Sequence, residues 1–361
     1  MQAVIRSDAR ILRLDRISIR AIAVLLGIAL CAVLGLARPG YAQPARTAPS
    51  ENETWTDLAP MPVAQCEGGT AVLNGRIYVM GGWKDEPQPY QLVQIYDVAA
   101  NKWSEGVPLP EPVHHEGVAV VGGKIYIIGG FQQPFPQREP IDHVWEFDPV
   151  TNAWTARAPL PSPRGALIVA VIGNLIYAAG GEHRRPPGSP PGPPGAPAAY
   201  EPVGDLTVYD PQTDEWRSLP PMHVRRDHAY GAVIDGHLYV AGGRDRPKYD
   251  ISALEEFDPN ANTWIERASM PTGRSGGNGA VLEGQFYTFG GEGNKASPLG
   301  IYDEVEAYNP ATDVWTSFEP MAHPRHSLSA AAVGSRIYLS GGVPHAGGEG
   351  VIPLVEAFQP R

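Results

Sequence analysis

The chain has 361 residues, 43% of them hydrophobic and 19% charged, a balance that fits a folded soluble protein and excludes a disordered or fibrous one. Its formal net charge of −11 disfavours nucleic acid and anionic membrane surfaces as partners. Glycine (41) and proline (38) make turns frequent, and two cysteines, Cys31 and Cys66, exclude a disulfide-rich scaffold.

The first element is an export segment over 1–42. Arg6, Arg10, Arg13, Arg16 and Arg20 lead into an apolar run at 21–37, and Gly40 and Ala42 supply the small residues of a cleavage site. The run is at the lower edge for spanning a bilayer, so an uncleaved anchor is the second reading of the same residues. Cys31 lies inside the run rather than closing it, which is poor for lipoprotein processing. Either reading makes the rest of the protein secreted or periplasmic. Cleavage after Ala42 removes six arginines and two aspartates, taking the net charge from −11 to −15 and leaving Cys66 alone. The core must then supply the stability without a disulfide. A linker follows over 43–52, and Asn52-Glu53-Thr54 is a glycosylation triplet, meaningful only in a host that glycosylates.

From 53 to 361 the chain repeats itself six times. The stretches IYVMGG, IYIIGG, IYAAGG, LYVAGG, FYTFGG and IYLSGG place their tyrosines at Tyr78, Tyr126, Tyr177, Tyr239, Tyr287 and Tyr338. Trp55, Trp103, Trp154, Trp216, Trp264 and Trp315 follow the same gaps of 48, 51, 62, 48 and 51 residues. Each unit reads as four short strands. A Gly/Ala-rich strand comes first, then a two-residue turn such as Asn74-Gly75 or Asp235-Gly236, then the Tyr-containing strand that ends in Gly-Gly. A third strand ends at Tyr96-Asp97 and its counterparts, and a polar turn delivers the tryptophan of the fourth. No helical period of useful length is present, so the class is all-β. The second strand is apolar on both faces, which radially stacked blades explain and an open sandwich does not. Trp55 has no three strands before it and Phe358 no tryptophan after it. The two ends therefore share one blade, and the expected fold is a six-bladed β-propeller of four antiparallel strands per blade, closed by the N-terminal strand.

A period near 50, the Gly-Gly pair, the Tyr-Asp ending and the trailing Trp together resemble kelch repeats, across 51–361. No Trp-Asp dipeptide supports the shorter-period alternative. The size, export segment and arginines resemble exported six-bladed propellers of the N-acetylneuraminate mutarotase type. Copper oxidases of the galactose-oxidase type fit less well: no Tyr is followed by His, and the blades number six rather than seven.

Function is expected on one face, where the loops before the first strand and after Gly-Gly emerge together and vary from unit to unit. Trp83 and Arg244 open two of these loops, and a Pro/Gly-rich insertion at 184–202 extends a third. Arg164, Arg226, Arg274 and Arg325 stand thirteen residues before the repeat tyrosines, where blades one and two have Gln65 and Val113. Four converging guanidiniums suit a carboxylate ligand, and blade packing through local hydrogen bonds is the competing reading. His114, His115, His228 and His326 lie just beyond, but no spacing fixes a metal site, so neither metal nor cofactor is assigned. The expected activity is that of a monomeric binding module for a protein segment or an acidic glycan. The alternative is a carbohydrate-active propeller such as a sugar mutarotase, for which Glu67, Glu182 or Glu292 would be the acid–base carboxylate.

Overall fold

A computed structural model describes residues 54–84, 88–133, 137–190 and 199–360. The export segment, the linker and the middle of the Pro/Gly-rich insertion lie outside the described residues.

Strands pair in chain order to give six four-stranded antiparallel sheets. Blade 1 is Cys66–Leu73, Arg76–Trp83, Val93–Asp97 and Lys102–Glu105. Blade 2 is Gly117–Val121, Lys124–Ile128, Val144–Asp148 and Ala153–Arg157. Blade 3 is Ile168–Ile172, Leu175–Ala179, Leu206–Asp210 and Glu215–Leu219. Blade 4 is Tyr230–Ile234, His237–Ala241, Leu254–Asp258 and Thr263–Arg267. Blade 5 is Asn278–Leu282, Gln285–Phe289, Val305–Asn309 and Val314–Ser317. Blade 6 takes Ser329–Val333, Arg336–Ser340 and Val355–Gln359 from the far end of the chain, and its outer strand is Thr54–Asp57, with Trp55 opposite Phe358. The six first strands touch one another in a closed circle around the axis. The six-bladed, end-closed ring expected from the repeats is the observed fold.

The repeat markers have distinct physical duties. Ile125, Ile176, Leu238, Phe286 and Ile337 on the second strands are fully buried between neighbouring blades. Each fourth-strand tryptophan packs against the aromatic ring of the third strand, with centroids from 4.9 Å (Trp55–Phe358) to 5.4 Å (Tyr308–Trp315). Five of these indoles also donate to a carbonyl of the preceding blade: Trp103 to Ala59, Trp154 to Val107, Trp216 to Ala158, Trp264 to Pro220 and Trp315 to Ala268. The marker ties one blade to the next.

Turn chemistry follows the residues. Asn74-Gly75, Gly122-Gly123, Asp235-Gly236 and Glu283-Gly284 have positive φ at both positions, the mirror-image turn that matches strand twist. Gly173-Asn174 and Gly334-Ser335 need it at the glycine alone. The Gly-Gly pairs answer a different need. A Cβ on Gly129, Gly180, Gly242, Gly290 or Gly341 would sit 2.1–2.7 Å from the carbonyl oxygen of Arg164, Arg226, Arg274, Arg325 or Gln65 in the next blade. Backbone from two blades meets at each pair, and only glycine leaves room.

Candidate functional site

Of the two readings of the four arginines, a ligand face or blade packing, their side chains take the second. Arg164, Arg226, Arg274 and Arg325 are completely buried, because each guanidinium satisfies backbone carbonyls and a partner on the third strand of its own blade. Arg164 donates to Gly180 O at 3.0 Å and Thr207 Oγ1 at 2.8 Å; Arg226 pairs with Glu255, Arg274 with Glu306, and Arg325 with Glu356 at 2.5 Å. The two exceptions vary in step: blade 1 has Gln65 bonded to Gln94 at 2.7 Å, and blade 2 has apolar Val113 where the third strand carries Trp145. A buried cation is tolerated where its partner is present and replaced where it is not.

Two residues beyond this position the blades build a second feature. Glu67, His115, Ala166, His228, Gly276 and Ser327 all have positive φ, from 51° to 70°. Each N–H then reaches the carbonyl of its counterpart in the preceding blade: Glu67 to Ser327, His115 to Glu67, Ala166 to His115, His228 to Ala166, Gly276 to His228 and Ser327 to Gly276, over 2.6–3.2 Å. Six hydrogen bonds close head to tail around the channel. Positive φ recurs in all six blades, so it belongs to this ring and not to one ligand. The ring lies at the end of the blades that carries the Gly-Gly loops, since Gly165, Asp227, Ser275 and His326 bridge Glu182, Arg244, Glu292 and Val343.

The five side chains of this ring, and the backbone at Gly276, face a cavity of about 260 Å³ in the channel. Ala166 and Gly276 have little or no bulk, so His115 and His228 meet across Ala166 with ring centroids 4.9 Å apart. His115 Nε2 is 3.2 Å from Glu67 Oε2, Ser327 Oγ donates to Glu67 Oε1, and His326 Nδ1 is 2.7 Å from Ser327. One ligating atom from each of Glu67, His115 and His228 lies within 4.8 Å of the others. Burial alone would raise the Glu67 carboxyl, but the facing His115, with His228 and His326 behind it, holds it well below the usual carboxylate range. Burial and then Arg244 push the His228 imidazole down to about 3, so it is neutral. Trp83 packs against this group, tilted on His114 at 4.3 Å and edge-on to His115 at 5.4 Å between ring centroids.

A charged layer rests on the ring. Arg244 donates to Asp227 at 2.8 Å, to Glu292, and to His228 Nε2 at 2.8 Å. Glu182 is buried against Arg138 at 2.5 Å; burial and then Asp227 raise its carboxyl. Two of the three carboxylates expected from the sequence, Glu182 and Glu292, are therefore committed to arginines, and Glu67 faces the channel. Short hairpins of Phe131–Gln132 with Glu139–Pro140, and of Glu182–Arg184 with Tyr200–Pro202, rise after the Gly-Gly pairs of blades 2 and 3.

The sequence alone does not single out Asp227, Glu116, Arg138 or Arg246. The signal for the ring itself was present, since 67, 115, 166, 228, 276 and 327 repeat with the same gaps as the tyrosines. Glu116 in the channel wall accepts from Gly69 N at 2.8 Å through Oε1, and its Oε2 has no partner among the described residues. Burial pushes this carboxyl up to about 8. An unfolded glutamate titrates near about 4.3, so the native state holds a proton that the unfolded chain releases. The stability linked to Glu116 is full below that value and falls as pH rises towards about 8, by at most about 1.4 kcal/mol per pH unit. Glu116→Gln should remove that slope from urea-unfolding midpoints measured between about pH 5 and 8. Parallel slopes in the two proteins would place the loss elsewhere.

A closed ring of six antiparallel four-stranded blades defines a repeat β-propeller. The family model described as the KLHDC2/KLHL20/DRC7 Kelch-repeats domain matches residues 48–225 and 195–342. The chain belongs to the kelch-repeat family. Kelch-like protein terF of Aspergillus terreus is 30% identical over 314 residues, 85% of this chain and 56% of that protein. Kelch-like ECH-associated protein 1B of Danio rerio is 32% identical over 106 residues, 29% of this chain and 16% of that protein. The chain thus spans about half, or less, of the length of these relatives. The solved structure of YjhT superposes with a TM-score of 0.68 at 16% identity, over 82% of this chain and 95% of that one, a likeness of fold.

Proposed function

We propose that this chain is an exported kelch propeller acting as a binding module, with its ligand held over the channel mouth on the face of the Gly-Gly loops. The observation that carries this reading is Arg246. Its Nε is buried without a partner among the described residues, beside Arg244, Asp227 and Glu182. Burial, and next Arg244, depress its guanidinium, so an anion arriving there relieves an unfavourable charge. A carboxylate from an acidic glycan or a protein segment supplies that anion. The leader at 1–42 supports export.

Arrays of glycans and peptides, followed by calorimetry on the hits, test the proposal. Arg246→Ala should weaken binding about 10-fold or more, as expected for a charge-assisted hydrogen bond. Absence of any ligand, or affinity unchanged by Arg246→Ala, would remove it. The Glu67–His115 contact favours a second reading, a sugar-ring isomerase with Glu67 as the acid–base group. NMR exchange between the anomers of sialic acid, accelerated by the protein and lost in Glu67→Gln, would establish that activity. No acceleration would rule out this reaction.

A further inference from the structure

We propose that Glu67, His115 and His228 form a binding site for a divalent transition-metal ion at the channel mouth. This goes beyond the ligand reading above and does not depend on it.

The case rests first on where the lone pairs point. His114 Nε2 lies 3.0 Å from the Gln133 carbonyl, which can only accept, so His114 carries its proton on Nε2 and presents a lone pair at Nδ1. That nitrogen is 2.5 Å from His115 Nδ1, which must then be the donor. In its neutral form His115 turns an Nε2 lone pair toward the Glu67 carboxylate, 3.2 Å away. A cation then belongs between the two: either the proton that makes His115 an imidazolium, or a metal ion that displaces it. His228 is fixed in the same way: Asp227 Oδ1, 2.5 Å from Nδ1, takes that proton and leaves Nε2 as a lone pair. The lone pair is occupied by Arg244 Nη2 at 2.8 Å. Arg244 keeps Asp227 and Glu292 when a metal ion takes its place.

The second strand of the case is space and support. Ligand atoms bound to one ion at about 2.0–2.2 Å lie roughly 3–3.5 Å apart. The Glu67–His115 pair already meets that spacing, and His228 offers a ligand atom within 4.8 Å of both. Each ligand has an outer hydrogen bond that fixes its orientation: Ser327 on Glu67, His114 on His115 and Asp227 on His228. Two imidazoles and one carboxylate suit zinc or ferrous iron, and they leave positions open toward the cavity; they do not suit calcium or magnesium, which take oxygen.

The full chain, purified without a histidine tag and stripped with chelator, is titrated with zinc by calorimetry and with cobalt(II) by visible absorption. One ion per chain is expected, with no response to magnesium. Glu67→Gln, which keeps the side-chain shape, and His115→Gln should each weaken zinc binding at least about 10-fold, and Asp227→Asn by about 10–100-fold. His143→Ala, an exposed histidine outside the ring, should leave it unchanged. Circular dichroism confirms that each variant is folded. No zinc binding by the parent chain, or equal binding in Glu67→Gln and His115→Gln, overturns the proposal. A chain that binds zinc and no glycan or peptide keeps this site and loses the ligand reading.

Discussion

Arg274→Gln should destabilise the protein by about 3–5 kcal/mol, because it leaves the Glu306 carboxylate buried without its cation. Glu306→Gln removes the other half of the pair and should cost about as much. Changing both together is expected to recover most of the loss. The chain already contains the substituted arrangement: in blade 1, Gln65 and Gln94 bond each other at 2.7 Å, and Gln65 still reaches the Gly81 carbonyl. Urea unfolding of the four proteins gives a double-mutant cycle, with an expected coupling at least as large as either single loss, about 3–5 kcal/mol. Simple addition of the two losses would show that the residues act independently.

Gly290→Ala should be the more damaging of two alanine substitutions that look alike in sequence. Gly290 and Gly284 both have positive φ, at 57° and 73°. A Cβ on Gly284 meets nothing within 4 Å, so its alanine pays the left-handed backbone alone, about 1–2 kcal/mol. On Gly290 it would lie 2.2 Å from the Arg325 carbonyl of the next blade, so crowding adds to the backbone term, for about 2–5 kcal/mol in all. Thermal and urea unfolding of the two variants separate the terms. Equal losses would mean that the close approach between blades has no energetic weight.

The architecture was legible because it is written six times in local markers: a turn, a buried strand, a Gly-Gly pair and a tryptophan at fixed gaps. Closure was legible too, since Trp55 and Phe358 each lacked the rest of a blade. The site was harder to read because it is assembled across blades. Arg164, Arg226, Arg274 and Arg325 gave a visible periodic signal, yet their side chains turn inward. Whether an arginine faces solvent or a glutamate depends on Thr207, Glu255, Glu306 and Glu356, which lie about thirty to forty residues away in the chain. The ring residues are chemically unlike one another, so no composition search groups Glu67, His115, Ala166, His228, Gly276 and Ser327. What they share is a backbone conformation, which residue identity alone does not show.

One joint of the wheel differs from the others. Trp103, Trp154, Trp216, Trp264 and Trp315 each pin their blade to the one before, but the Trp55 indole nitrogen has no partner among the described residues. Between blades 5 and 6 the indole instead makes an edge contact with Phe289, centroids 6.3 Å apart, within a cluster that also holds Tyr287 and Phe358. With one spoke lacking its hydrogen bond, the circle is expected to open first at that joint, like a split washer. Amide exchange should be fastest there, and Glu67, His115 and His228, on blades 1, 2 and 4, ride on the arc that stays shut.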